Sequence, residues 1–216
     1  MAQILWYKAN AIVGLNDGDL VAQWNDSSGN NNHALQSVDS LKPIYKVNIL
    51  NGLPVVRFDG IDNYMDFTTV LSTIRTAFFV INWIGLDNIQ YAPLLGHSSL
   101  YDWHGADLVN RIFDATYASA NIRNGSGYVN GVLTAPTGMG KPFSFKYLSI
   151  VALNNVNAGK ITNDRNLGGR VWRGDYAEII LYNLPLSDTD RQVVESYLYN
   201  KYFVVGIIRP MPCYIR

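Results

Sequence analysis

The chain has 216 residues, its acids and bases balance at 17 each, and only 16% of its residues are charged. That length fits one large β domain better than two small ones, and zero net charge excludes the basic field that would hold nucleic acid or an anionic membrane. The single cysteine, Cys213, excludes an internal disulfide, so the fold must stand on packing.

In chain order, the opening MAQILWYKAN lacks the basic start and apolar run of a secretory signal. No apolar run reaches the length of a membrane span. The expectation is a chain made in a cytoplasm, without a signal peptide and without membrane insertion. Short runs rich in Val, Ile, Tyr, Phe and Trp then alternate with Asn, Gly, Asp, Ser and Pro, which predicts strands at Gln3–Tyr7, Leu20–Trp24, Pro54–Phe58, Ala77–Ile84, Tyr147–Leu153 and Tyr176–Tyr182. Within this series a short helical turn is predicted near Thr69–Ile74. Asn-Gly pairs at 51–52, 124–125 and 130–131 tolerate the positive φ of tight turns, and GYVNGVLT around Asn130-Gly131 predicts a hairpin. Helical periodicity is convincing once, over Ser187–Tyr202, where Ser187 caps the start, Asp190 completes a capping box, and Val194, Tyr197, Leu198 and Tyr202 share a face. Beyond it, Pro210 and Pro212 flank Met211, which predicts an extended arm. Many strands, one late helix and no βαβ rhythm predict an all-β antiparallel sandwich over residues 1–203, followed by an arm over 204–216. Trp6, Trp24 and Trp83 fall in strand-like runs and are expected in the core; Trp172 fits either core or surface.

Three blocks carry a resemblance. Leu5–Gln36 reads LWYKANAIVGLNDGDLVAQWNDSSGNNNHALQ, Asn51–Phe67 reads NGLPVVRFDGIDNYMDF, and Gly174–Tyr202 reads GDYAEIILYNLPLSDTDRQVVESYLYNKY. Together they resemble the laminin-G-like, concanavalin A-like jelly-roll domains of bacterial and phage proteins. The resemblance implies a jelly-roll β-sandwich with one C-terminal helix. It implies little about function, because this fold hosts lectins, glucanases and structural modules alike.

Chemistry narrows the choice. Glucanases of this fold cluster acids as Glu-x-Asp-x-(x)-Glu, but this chain has only Glu178 and Glu195, the first in an apolar strand and the second on the helix. No Gly-x-Ser-x-Gly elbow occurs, TGMGK at Thr137–Lys141 is too short for a phosphate loop, and His33, His97 and His104 form no triad or metal pattern. His33 follows a Ser-Gly-Asn turn and is expected to make a structural hydrogen bond. The expectation is therefore a protein that is not an enzyme. Arg173-Gly174-Asp175 matches an adhesion tripeptide, yet it opens a strand with apolar residues on both faces, so coincidence within the fold is expected. The resemblance also leaves room for one calcium ion as the only cofactor. The candidate ligands are the turn residues Asp17, Asp19, Asp26, Asp59 and Asp62, although Asp is a default turn residue in any case. A glycan site needs exposed rings beside polar groups, and YDWHGAD makes Tyr101, Asp102, Trp103 and His104 the candidates, with a sugar stacked on Trp103; the alternative is that Trp103 plugs an end of the sandwich or contacts a neighbouring subunit.

Two functional classes follow. In the first, the chain is a bacteriophage virion component (a capsid decoration, head-fibre or tail-surface protein). It would sit at the virion surface, with other virion proteins or copies of itself as partners. Its arm, with Ile207, Ile208, Arg209 and Tyr214, would dock it by strand addition. In the second, it is a carbohydrate-binding lectin module that acts as an adhesin on cell-surface glycans. Nucleic acid is not expected as a partner in either.

Overall fold

The computed structural model describes residues 3–85, 91–106 and 110–204. In chain order the strands are β1 (Gln3–Lys8), β2 (Gln23–Trp24), β3 (Ala34–Leu35), β4 (Ile44–Leu50), β5 (Leu53–Asp59), β6 (Met65–Ile81) and β7 (Leu95–Gly96). Then come helix α1 (Ala120–Arg123), strands β8 (Ser126–Val129), β9 (Val132–Leu133), β10 (Lys146–Ile161) and β11 (Arg173–Tyr182), and helix α2 (Asp188–Tyr202). The main path through the sheet is β4-β5-β11-β6-β10-β8-β9, with β1 added to β11, β2 and β3 to β6, and β7 to β10. Every one of these pairings is antiparallel. These two α-helices and three 3-10 turns complete the elements among the described residues, and no helix among them is long and apolar enough to cross a membrane.

The long strands β6 and β10 shape the molecule. Early residues of β6 pair with β3 and with the end of β10, while its later residues pair with β11 and with the start of β10. Between these halves lie exposed residues, 68–70 and 72–73 on β6 and 153–155 on β10, and the β10 register shifts there. Strands that bend at irregular registers carry a sheet around a corner. The result is consistent with an all-β sandwich, with Leu5, Tyr7, Phe79, Leu148, Ile150, Ile179 and Leu181 among its inner residues.

Alternation along β6 and β11 aims the other side chains at α2. Phe78, Val80, Ala177 and Ile180 meet Val194, Tyr197, Leu198 and Tyr202 in a second apolar cluster. The cap is as expected: Ser187 Oγ accepts from Asp190 N at 3.2 Å and donates to the Asp190 carboxylate at 2.8 Å. At the centre of this layer Glu178, fully buried, accepts from Lys201 Nζ (2.6 Å), Tyr202 OH (2.7 Å), Tyr197 OH (3.0 Å) and the Trp6 indole. Glu195 accepts from Ser149 Oγ and Arg191. Both glutamates therefore fasten the helix to the sheet.

Several predicted elements need correction. Residues Thr69–Ile74 are strand, inside β6, because pairing along β10 overrides the helix-like spacing of Val70, Leu71 and Ile74. Leu20–Trp24 shrinks to β2, with Leu20 in an isolated bridge to Ile44. Helix α1 was not foreseen; Ser119 caps it, and Asn124-Gly125 ends it instead of forming a hairpin turn. Asn51-Gly52 and Asn130-Gly131 do form hairpin turns, with φ of 50° and 76° in both pairs. Trp24, Trp83 and Trp172 are buried, whereas Trp6 is only partly buried, against the α2 cluster. Residues Ile207, Ile208, Arg209 and Tyr214 of the arm, and Cys213, lie outside the described residues.

Candidate functional site

Segment 91–106 and the loop 162–170 meet at one end of the sheet through backbone hydrogen bonds. Thr162 N donates to Leu94 O (3.2 Å) and Arg165 N to His97 O (3.0 Å), while Tyr91 N to Ala106 O (3.0 Å) closes the segment on itself. The approach is close enough to demand glycine. A Cβ on Gly96 would lie 2.0 Å from Asn163 O and 2.2 Å from Thr162 O, and one on Gly105 would lie 2.6 Å from backbone atoms of Ala92. Positive φ is concentrated in the same place, at Tyr91 (56°), Thr162 (55°), Asn163 (58°), Arg165 (53°) and Asn166 (58°). Thr162 is β-branched, so this conformation strains it, at roughly 1–3 kcal/mol.

These loops enclose an open cleft of about 400 Å³ lined by Tyr91, Tyr101, His104, Tyr117, Arg165 and Arg170. The Tyr101 and Tyr117 rings are 48% and 61% exposed. Beneath them Asp164, 2% exposed, organises the floor. Its carboxylate accepts from Arg165 Nε and Nη2 (both 3.0 Å) and from Arg170 Nη1 (2.9 Å), and His104 Nδ1 lies 3.0 Å away. Burial alone would raise the Asp164 carboxyl, but hydrogen bonds with His104, Arg165 and Arg170 outweigh it and hold the group well below the usual carboxylate range. The two guanidinium groups lie over tyrosine rings, Arg165 5.0 Å from the Tyr101 centroid and Arg170 4.3 Å from that of Tyr91. The His104 ring stacks on Tyr91 at 5.1 Å.

Of the four sequence candidates, Tyr101 and His104 line this cleft, with His104 buried beneath it. Asp102 instead accepts from both the backbone and side-chain nitrogens of Asn157 at 2.8 Å. Stacking of a sugar on Trp103 must be corrected. That ring is 2% exposed, faces Phe79 and Phe113, and donates its N–H to Asn157 O at 3.0 Å. The Gly-bounded loop turns Trp103 inward because the core offers it apolar partners. Tyr91, Tyr117, Asp164, Arg165 and Arg170 escaped the sequence reading. One signal was available: TNDRNLGGR, residues 162–170, packs Asn, Asp and Gly around two arginines, the composition of a loop held in left-handed conformations.

Of the five aspartates proposed for calcium, four accept hydrogen bonds from other groups, while Asp62 gives its backbone N–H to the Asp59 turn. Asp17 bonds Lys46 and Val47 N, and Asp19 accepts from Asn16 N. Asp26 accepts from Trp6 N, Ser28 N, Ser28 Oγ and Asn32 N. Asp59 Oδ1 accepts from the backbone N–H groups of Ile61, Asp62 and Asn63. Among the described residues no three His, Cys, Asp or Glu side chains converge to hold a metal. His33 Nδ1 accepts from Asp26 N at 3.1 Å, the structural bond expected of it.

Arg173-Gly174-Asp175 enters β11, as expected. Asp175 is fully buried and accepts from Arg57 Nε and Nη2, at 2.6 and 2.9 Å. Arg173 lines a larger depression of about 600 Å³, where Leu20, Ile44, Phe58, Ile61 and Ile84 mix with polar and charged residues such as Asp39, Lys42 and Asp59. That depression lacks the exposed rings of the tyrosine cleft. Comparison with models of protein families, with curated proteins and with solved structures finds no match to this chain.

Proposed function

We propose that this chain is a non-enzymatic, glycan-binding component of a bacteriophage surface, built on a concanavalin A-like, laminin-G-like jelly roll. The observation that carries the binding function is the cleft itself. Exposed Tyr101 and Tyr117 rings stand beside Arg165 and Arg170, the pairing of flat apolar faces with fixed donors that sugar recognition needs. The jelly-roll assignment draws on the three sequence blocks and on the bent, antiparallel β6 and β10. The same blocks are the support for a virion location, in a capsid decoration, head fibre or tail surface, with copies of itself or other virion proteins as partners.

Against hydrolysis stands the state of the acids. Asp164 is held ionised, the opposite of a general acid, and Glu178 and Glu195 bond the α2 layer. The cleft favours equally a second reading, a lectin module that acts as an adhesin outside any virion. A glycan array on the purified chain tests the binding claim that both share. Signal is expected, and Tyr101→Ala abolishes it while Trp103→Phe keeps it; a blank array refutes glycan binding. Antibody labelling of intact particles then separates virion surface from free adhesin.

A further inference from the structure

The donors in the cleft define which sugar it suits. Arg165 and Arg170 both reach the same oxygen, Asp164 Oδ2, at 3.0 and 2.9 Å, so the two guanidinium groups are neighbours. A guanidinium has five N–H donors. Among the described residues Arg165 uses only Nε and one Nη2 hydrogen, and Arg170 only one Nη1 hydrogen. Asp164 already accepts three arginine bonds on its two oxygens, and His104 Nδ1 lies 3.0 Å from Oδ2. The carboxylate balances one of the two positive charges. Among the described residues that line the opening none is a carboxylate, so one positive charge beside Tyr101 and Tyr117 has no acidic partner there. The side chains of Arg165 and Arg170 are 32% and 26% exposed, which leaves them within reach of a ligand.

We propose that the cleft takes an acidic saccharide, its ring against Tyr101 and Tyr117 and its carboxylate on the free N–H groups of Arg165 and Arg170. This inference rests on the glycan reading above. A ligand carboxylate would complete a set of two guanidinium and two carboxylate groups, with each planar pair bridged by charge-assisted hydrogen bonds. The stacking of both arginines on tyrosines and the shared anchor at Asp164 fix these donors before the ligand arrives, which lowers the ordering cost of binding. Because the arginines are partly exposed, salt should weaken the interaction.

The test compares methyl glucuronide with methyl glucoside, a pair that differs at one carboxylate, by NMR titration of the intact chain. Glucuronide should bind about tenfold or more tightly than glucoside, the ratio expected for one hydrogen-bonded charge. Arg165→Gln and Arg170→Gln should each erase most of that ratio while the neutral glucoside keeps its affinity. Circular dichroism confirms that the variants fold, and the wild-type pair alone remains decisive if they do not. Equal binding of the two glycosides overturns the acidic preference and leaves glycan binding intact. No response to either glycoside, with the array blank, removes both readings. Acetate that binds as well as glucuronide overturns the saccharide part, because the cleft would then hold any small carboxylate.

Discussion

Raising the pH above 10 should unfold this protein through its tyrosines. Six of the fourteen lie in buried positions with phenols pushed upward, and five of them, Tyr45 excepted, are shifted furthest. Burial is the main cause in each. The charge of Asp26 adds to it at Tyr7, and that of Glu178 at Tyr182, Tyr197 and Tyr202, while Tyr176 is shifted by burial alone. Tyr182 is raised to about 12 and the others clearly above 10. In the unfolded chain each phenol loses its proton near pH 10, while in the folded chain it keeps it. The unfolded state then binds fewer protons, so stability is intact below pH 10 and falls as pH rises beyond it. Each phenol removes about 1.4 kcal/mol per pH unit, so five remove about 7 kcal/mol per unit. Lys201, lowered chiefly by burial against the pull of Glu178, works the other way but contributes no further gain above pH 10.5. A domain of ordinary stability, about 5–15 kcal/mol, should therefore unfold roughly one to two units above pH 10. Phenolate absorbance and far-UV circular dichroism, followed together, provide the assay. The buried set should ionise in one step, above the ordinary phenol range and with loss of dichroism. A single smooth ionisation near pH 10 with the fold unchanged would refute the burial argument.

Glu178→Gln strands the Lys201 ammonium in the α2 layer and should cost about 3–5 kcal/mol in urea denaturation. Lys201→Met should cost less, because Trp6, Tyr197 and Tyr202 still donate to the carboxylate. Gly96→Ala drives a Cβ into Asn163 O and Thr162 O and should cost about 1–3 kcal/mol, with larger loss of glycan signal than of stability. Gly138→Ala, with open space around it, is the neutral control. Calcium at ~1 mM should leave Tm unchanged, whereas a site of ~10 µM affinity would add about 2.7 kcal/mol and several degrees. Deletion of residues 206–216 should leave Tm unchanged if they serve as a docking arm. The same deletion should abolish incorporation into particles, if the arm docks the chain; an unfolded truncation would contradict this.

What the sequence made legible was local. The α2 cap, its apolar face and the two hairpin Asn-Gly turns depend on residues a few positions apart, so their patterns survive in one dimension. The Ile179-Ile180-Leu181 run disclosed a strand covered on both faces for the same reason. Thr69–Ile74 misled because its strand identity comes from β10, some 80 residues away in the chain. At the cleft, Tyr101 and His104 were visible as one loop, whereas Tyr117, Arg165 and Arg170 arrive from other loops. Trp103 shows the limit most clearly. Nothing beside it in the sequence discloses which way its ring turns, and the space left by Phe79 and Phe113 decides.

The strained loop and the cleft belong to one argument. A free surface loop would relax out of left-handed backbone at Thr162, yet here the glycine contacts at Gly96 and the arginine pair on Asp164 hold it. That rigidity keeps the donors in place without a ligand, but the cleft is open, and under the proposed glycan reading each copy would grip only a sugar or two. Affinity per site should therefore be low. A protein displayed in many copies on a particle converts weak single contacts into firm attachment by effective concentration, while a solitary lectin cannot. Low single-site affinity together with strong retention of multimeric displays would thus favour the virion reading, and tight binding by the isolated chain would favour the free adhesin.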